Sequence, residues 1–276
     1  MSAGDAAPEA APVDTAIVLA AGEGSRLRAA APSKPLCPIG GKPLVDHALE
    51  RLAMAGIARA IVVVGYLGEQ LVAHLASRRW PLAVETVAVD DWTLPNGVSA
   101  LAGGRIANGP ALLVMCDHLV EPALYRAMAQ VGPGPGLRLG IDRRLDSDAV
   151  DLDDVTCVVT EGTGHIVTIG KGLASYDAFD TGVFAVGPAF FDALAGLDRP
   201  SITEGVRALA ASGKALVHDI GDLDWIDVDD PPALAMAEDR LLLEAAAAPT
   251  GDSERPSHPT RDAFRLRHRG ETRMTR

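Results

Sequence analysis

Six residues in unbroken apolar or β-branched succession, Thr15 to Ala20, run straight into Ala21 and Gly22. A short run of this kind, closed by glycine, predicts a strand buried on both faces. Arg59 to Val64, Ala83 to Val89 and Ala111 to Met115 are further strand-like runs. Between them the spacing turns helical. Leu44, Ala48, Leu49 and Leu52 mark a helix within Pro43 to Ala55 that stops at Gly56, and Leu71, Val72 and Leu75 mark one within Leu67 to Arg78. Pro95-Asn-Gly97 turns the chain into a short helix from Val98. Strand–helix alternation predicts right-handed crossovers, a mostly parallel sheet and a ligand site at the strand carboxyl ends. Gly22 and Asp117 both fall on that edge.

The pattern changes after Pro133-Gly-Pro-Gly136. Val155 to Thr160 and His165 to Ile169 are short β-branched runs around Glu161-Gly-Thr-Gly164, which predicts a hairpin. Thr181 to Val186 reads as another strand. Ser201-x-x-Glu204 is a capping box that opens a helix through Ala211. Ala215 to Ile220 follows as a strand, Asp224 to Asp230 as a loop, and Pro231 to Ala247 as a long helix. One domain over 14–247 is expected, its halves meeting near 132/133. The Ala/Pro-rich lead 1–13 lacks the basic start of a signal peptide, and the tail 248–276 lacks apolar periodicity, so both are expected to be disordered.

Composition narrows the class. No apolar run approaches the ~20 residues of a membrane span. Net charge is −12, yet from Thr250 onward seven arginines face four acids, so the preceding body carries −15. Such a body excludes a nucleic-acid partner, which needs surplus Lys and Arg. Cys37, Cys116 and Cys157 are odd in number and show no Cys-x-x-Cys spacing. They exclude a disulfide framework and a structural zinc site, and they place the chain in the reducing cytoplasm. Asp142 to Asp154 holds six Asp and two Arg at irregular spacing without a calcium-loop glycine, so a solvated, mobile insertion is expected there.

The chemistry concentrates after the first strand. Gly22 and Gly24 let the main chain approach a ligand and turn its N–H groups toward phosphate oxygens, and Arg26 and Lys34 add positive charge. A dinucleotide fingerprint would need a small residue where Leu27 stands. A P-loop would need a hydroxyl after Gly-Lys, whereas Gly41-Lys42-Pro43, Gly170-Lys171-Gly172 and Gly213-Lys214-Ala215 have none. Asp117 and Asp227, one from each half, suit a magnesium ion, which binds one or two carboxylates together with phosphates and water. Asp229 is a near substitute, and Asp230 reads as the cap of the last helix. These pieces suit nucleotidyl transfer, in which a phosphomonoester oxygen attacks an α-phosphate and pyrophosphate leaves. That dianion, with a second pKa of about 6, needs no general base. His118 is therefore read as support or packing. Lys171, followed by Asp180-Thr-Gly182, is a candidate grip for the acceptor's phosphate.

Seven blocks occur in order from residue 16 to about 243: Leu19-Ala-Ala-Gly-Glu-Gly-Ser-Arg-Leu27, Lys34-Pro-Leu36, Asn96-Gly-Val-Ser99, Asp117-His118, Ile169-Gly-Lys171, Asp180-Thr-Gly182 and Trp225-Ile-Asp-Val-Asp229. In this order the chain resembles the sugar-phosphate nucleotidyltransferase superfamily, and within it the CTP:inositol-1-phosphate cytidylyltransferases. The resemblance implies a single Rossmann-like three-layer α/β/α domain with a mostly parallel mixed sheet. It makes 14–132 the nucleotide half and 133–247 the acceptor half. It implies that Leu19, Ala20, Ala21, Gly22, Gly24 and Ser25, with Arg26 and Lys34 as catalytic cations, hold the triphosphate. Asn96, Gly97 and Ser99 would lie against the base, Asp117 and Asp227 would hold Mg2+, and Lys171, Asp180, Thr181 and Gly182 would face the polyol phosphate.

Two departures stand out. Ser33 replaces the usual proline before Lys34, which is expected to loosen that loop, and Cys116 replaces a glycine, which is expected to alter the acceptor pocket. In some relatives a membrane-embedded CDP-alcohol phosphotransferase follows on the same chain, and here such a partner would be a separate protein. The same motifs leave open UTP or dTTP with a sugar 1-phosphate, phosphocholine as acceptor, and a catalytically silent nucleotide-binding regulatory subunit. A molybdenum-cofactor nucleotidyltransferase shares the opening block but suits the later ones poorly. Oligomeric state is left open.

Overall fold

In the computed structural model, residues 12–147 and 150–247 are described. The basic tail, Asp148 and Ala149 of the acidic stretch, and residues 1–11 of the lead lie outside them. Val13, assigned above to the lead, is instead buried, and its N–H donates to Ala129 O at 2.9 Å.

The first half runs β1 (Thr15–Ala20), β2 (Pro38–Ile39), β3 (Lys42–Pro43), α1 (Leu44–Met54), β4 (Arg59–Val64), α2 (Gly68–Ala76), β5 (Ala83–Ala88), α3 (Gly97–Ala107), β6 (Ala111–Met115), β7 (His118–Val120) and α4 (Pro122–Val131). The second half continues with β8 (Leu137–Asp142), β9 (Cys157–Thr160), β10 (Ile166–Gly170), β11 (Ala178–Val186), α5 (Pro188–Ala195), α6 (Ile202–Ala210), β12 (Ala215–Asp219), β13 (Trp225–Asp227) and α7 (Pro231–Ala247).

One nine-stranded sheet organises the domain, in the order β10-β9-β11-β6-β1-β4-β5, with β8 alongside β11 and β12 beyond it. β6, β1, β4 and β5 are parallel neighbours. β11 runs against β6, β8 and β9, and β10 runs against β9, so only β10 and β11 are reversed in this mixed sheet. Side-chain alternation explains the unbroken apolar run of β1. Ala16, Val18 and Ala20 enter one core with Leu49, Leu71 and Met128 of α1, α2 and α4. Ile17 and Leu19 enter the opposite core with Ala100, Phe190 and Val206 of α3, α5 and α6. A strand covered by helices on both faces has no polar side. The result is the expected α/β/α layering.

A third, smaller core gathers Leu27, Ile39, Leu44, Leu119, Ile226, Val228 and Ala237. It fastens the loop after β1 to a two-stranded ribbon of β7 and β13 and to α7. The expected loop Asp224 to Asp230 therefore contains a strand. α4, α5 and β8 were not anticipated, although Leu124, Tyr125, Met128 and Ala129 are buried at helical spacing.

Candidate active site

β1 ends in the loop that carries Gly22, Gly24 and Arg26. Gly24 has φ +61°, and a Cβ there would stand 2.3 Å from Lys34 Cβ. The glycine is needed for its backbone angle and for the room it leaves the lysine. Gly22 is exposed, and a Cβ on it would meet nothing within 4 Å. Leu27, 1% exposed, anchors the turn in the third core, while Arg26 stays half in solvent.

The carboxylates arrive from the β7–β13 ribbon. β6 leads through Cys116 to Asp117, and His118 of β7 is the cross-strand partner of Asp227 in β13. His118 Nδ1 lies 3.3 Å from Asp117 Oδ1, and its Nε2 lies 3.7 Å from Asp227 Oδ2. Lys34 Nζ reaches Asp117 Oδ2 at 2.5 Å and also pairs with Asp229. The other oxygen of Asp229 pairs with Arg26, so one carboxylate spans both cations of the loop. Burial favours the neutral lysine, but Asp117, Asp229 and Asp227 outweigh it and hold the Lys34 ammonium above its ordinary range. The same pairing, with His118, overcomes burial and holds Asp117 well below the usual carboxylate range. Against burial, Asp227 and Asp117 push His118 up to about 9. Burial raises Asp227 to about 6 against the opposing pull of His118, with Asp117 and Asp229 adding to the rise.

Asp117, His118 and Asp227 can each offer one ligand atom, all within 4.8 Å of one another. Asp227 Oδ1 is buried and has no hydrogen-bond partner among the described residues. Two carboxylates, one with an unmatched oxygen, form a donor set that fits a hard divalent cation such as magnesium.

The opposing wall comes from the second half. Lys171 follows β10, Asp180 and Gly182 lie on β11, and Ile202 and Thr203 open α6. With Arg26, Asn96, His118, Trp225 and Asp227 they line one cleft of about 260 Å³. Burial raises Asp180 to about 6, although the Gly182 N–H donates to its Oδ1 at 2.8 Å. Thr181 alternates to the far face of β11, where its hydroxyl donates to Gly140 O at 2.8 Å. Asn96 accepts the Ile202 N–H at 2.9 Å, which ties the start of α3 to that of α6. Gly97 packs against Pro200, and Ser99 is buried. Leu19, Ala20 and Ala21 are buried at the end of β1. Gly22, Gly24 and Ser25 continue in the loop beside Arg26.

Several readings change. The acidic stretch is not merely a solvated insertion. Asp142 is 1% exposed and accepts from Arg144 at 2.8 Å and from Trp225 Nε1 at 2.9 Å. Asp154 enters the cleft, bonds Arg26 at 2.6 Å and pairs with Lys171. No spacing rule could have found it, because its partners are distant in sequence. Cys116 does not line the cleft. Its side chain is buried in the core with Val114 and Tyr125, so the expected change to the pocket does not follow from it. Ser33 is 2% exposed and its Oγ has no partner among the described residues. Asp230 caps α7 as expected, accepting the Ala233 N–H at 2.8 Å.

Among the described residues no helix is long and apolar enough to cross a membrane. The chain is 33% identical over 249 residues to a Rubrobacter xylanophilus protein named bifunctional IPC transferase and DIPP synthase, covering 87% of this chain and 55% of that protein. It thus spans about half the length of that relative and of its Aquifex aeolicus counterpart. It is 38% identical over 246 residues to the N-acetylmuramate alpha-1-phosphate uridylyltransferase of Caulobacter vibrioides, covering 82% of this chain and 96% of that one. The inositol-1-phosphate CTP transferase of T. maritima superposes with a TM-score of 0.71 at 26% identity, covering 82% of this chain and 94% of that one. Residues 16–181 match the MobA-like NTP transferase domain, and with them, from the loop after β1 to Asp180, the chain belongs to that family of nucleotidyltransferases.

Proposed function

We propose that the chain transfers a cytidylyl group from CTP to inositol 1-phosphate, or to a closely similar polyol phosphate, and releases pyrophosphate. The observation that carries this reading is that Arg26 and Lys171, one from each half, line the same cleft, while Lys34 lies behind its wall on Asp117 and Asp229. A triphosphate and a phosphomonoester repel each other, and cations from both sides offset that repulsion. In this reading the loop from Leu19, Ala20 and Ala21 through Gly22, Gly24 and Ser25 takes the triphosphate. Asn96, Gly97 and Ser99 take the base. Lys171, Asp180 and Gly182 face the acceptor, while Thr181 fixes their strand.

The acceptor's dianion attacks the α-phosphate directly, and the bond to the β-phosphate breaks. No side chain has to remove a proton, because the second phosphate pKa is about 6. Arg26 and Lys34 neutralise charge that grows on the departing pyrophosphate. Asp117 and Asp227 would hold magnesium, which when bound supplies Lewis-acid stabilisation of the phosphoryl oxygens. His118, cationic between those carboxylates, offsets their mutual repulsion. The three buried cysteines suit a reducing compartment, and we place the protein in the cytoplasm.

A second reading, uridylyl transfer to a sugar 1-phosphate, draws on the 38% identity to the Caulobacter vibrioides enzyme over nearly its whole length. Pyrophosphate release across CTP, UTP, dTTP and GTP, each with inositol 1-phosphate, phosphocholine and sugar 1-phosphates, separates the two. Turnover greatest with CTP, inositol 1-phosphate and magnesium is expected. Turnover with UTP and a sugar phosphate, but none with CTP, replaces the first reading by the second. Binding without turnover in every combination identifies a regulatory subunit.

A further inference from the structure

Among the described residues, Asp154 is the one cleft-lining residue whose two oxygens bind cations from the two halves of the molecule. Oδ2 accepts from Arg26 Nη2 at 2.6 Å, and Oδ1 accepts from Lys171 Nζ. Arg26 rises from the loop after β1 and Lys171 from the end of β10, yet a single carboxylate spans them. Their head groups therefore converge on one anion-sized position. We propose that Arg26 and Lys171 form one phosphate subsite, and that Asp154 fills it until the phosphate of a phosphomonoester displaces its carboxylate. The proposal rests on the function argued above and assigns to one site two cations that the sequence had divided between two substrates.

The chemistry favours exchange. A carboxylate and a phosphate present oxygens at similar spacing, and a phosphate dianion carries the larger charge for the same two donors. Asp154 is held ionised, at about 2, by hydrogen bonds from Lys171 and Arg26, so at neutral pH it competes at full charge. The competition is modest, since Arg26 and Lys171 are 50% and 57% exposed and solvent screens both pairs. Release of Asp154 costs little, because Arg26 keeps its second partner Asp229.

Calorimetric titration of the full chain with inorganic phosphate at neutral pH tests this. Asp154→Asn removes the competing charge and is expected to bind phosphate about three- to tenfold more tightly, the range set by two solvent-screened ion pairs. Asp153→Asn removes an equal charge from the adjacent exposed position and is expected to match the unaltered protein. In the double variant Asp154→Asn with Lys171→Met the gain is expected to vanish. Equal or weaker phosphate binding in Asp154→Asn overturns the proposal, and so does a gain that survives loss of Lys171 or appears equally in Asp153→Asn. Pyrophosphate release is read in parallel. Continued turnover with unchanged phosphate affinity removes the subsite but keeps the proposed reaction, and tighter phosphate binding with no pyrophosphate from any nucleotide does the reverse.

Discussion

His118 and Asp227 face each other across the β7–β13 ribbon, with Nε2 and Oδ2 3.7 Å apart. This pairing brings the end of a parallel strand in the first half to the approach of the last helix. It also sets Asp117 and Asp227 on either side of one imidazolium, so two carboxylates can stay close without a bound cation. Lys34 plays the same part for Asp117 and Asp229.

Replacing either proposed magnesium ligand tests that arrangement. Asp117→Asn and Asp227→Asn are expected to lower turnover roughly a hundred- to a thousandfold, as for loss of a preorganised charge-stabilising group, and to raise the magnesium concentration for half-maximal rate. Turnover at full rate in Asp117→Asn, measured by pyrophosphate release, would remove it from the metal site.

The two loop glycines should behave differently. Gly24→Ala forces a side chain into a left-handed backbone angle and onto the Lys34 stem. The backbone angle alone costs about 1–2 kcal/mol, so the thermal midpoint and turnover should both fall. Gly22→Ala meets open space, so its folding should be unchanged. If the triphosphate lies on Gly22, kcat/KM alone declines. Equal loss of stability in both variants would count against the geometry.

Asp142 makes an acid-sensitive contribution. Burial would raise its pKa, but hydrogen bonds from Arg144 and Trp225 outweigh burial and lower it. A carboxyl depressed in the folded state stabilises the fold above its unfolded pKa of about 3.9 and loses that contribution as pH falls through the lower folded value. Asp142→Asn is therefore expected to cost about 2 kcal/mol at neutral pH. In urea titrations the gap from the unaltered protein should narrow only below about pH 3.9. A gap independent of pH would refute the assignment.

Ser201 and Asn96 both satisfy N–H groups at the start of α6, from Glu204 and Ile202. Each alanine replacement should cost about 1 kcal/mol of stability. Ser201→Ala is expected to leave KM for the nucleotide unchanged, whereas Asn96→Ala, which also alters the cleft wall, should raise it. A raised KM in both would make the capping of α6 the only role of Asn96.

Much of the frame is legible in the sequence. β1, β4, β6 and α7 have the bounds their patterns predict, and the Ser201–Glu204 box caps α6. β7 and β13, at three residues each, are too short to carry periodicity, and α4 and α5, which open at Pro122 and Pro188, lie in stretches to which no element is assigned from the sequence. Asp229 and Asp154 were visible as acids. Their partners were not.

Alone, the order of residues determined where strands and helices form, where glycine bends the backbone, and which chemistry-bearing side chains reach the strand ends. Those properties depend on neighbours a few positions apart, so a linear pattern records them. Only the folded chain decided which charges meet. Asp229 joins Lys34 to Arg26 because the small core of Leu27, Leu119, Ile226 and Ala237 draws the loop, the ribbon and the last helix together, and Asp154 joins Arg26 to Lys171 from the other half. Ion pairs act over a few ångströms of space whatever the separation along the chain, and tertiary packing is what brings them within that range.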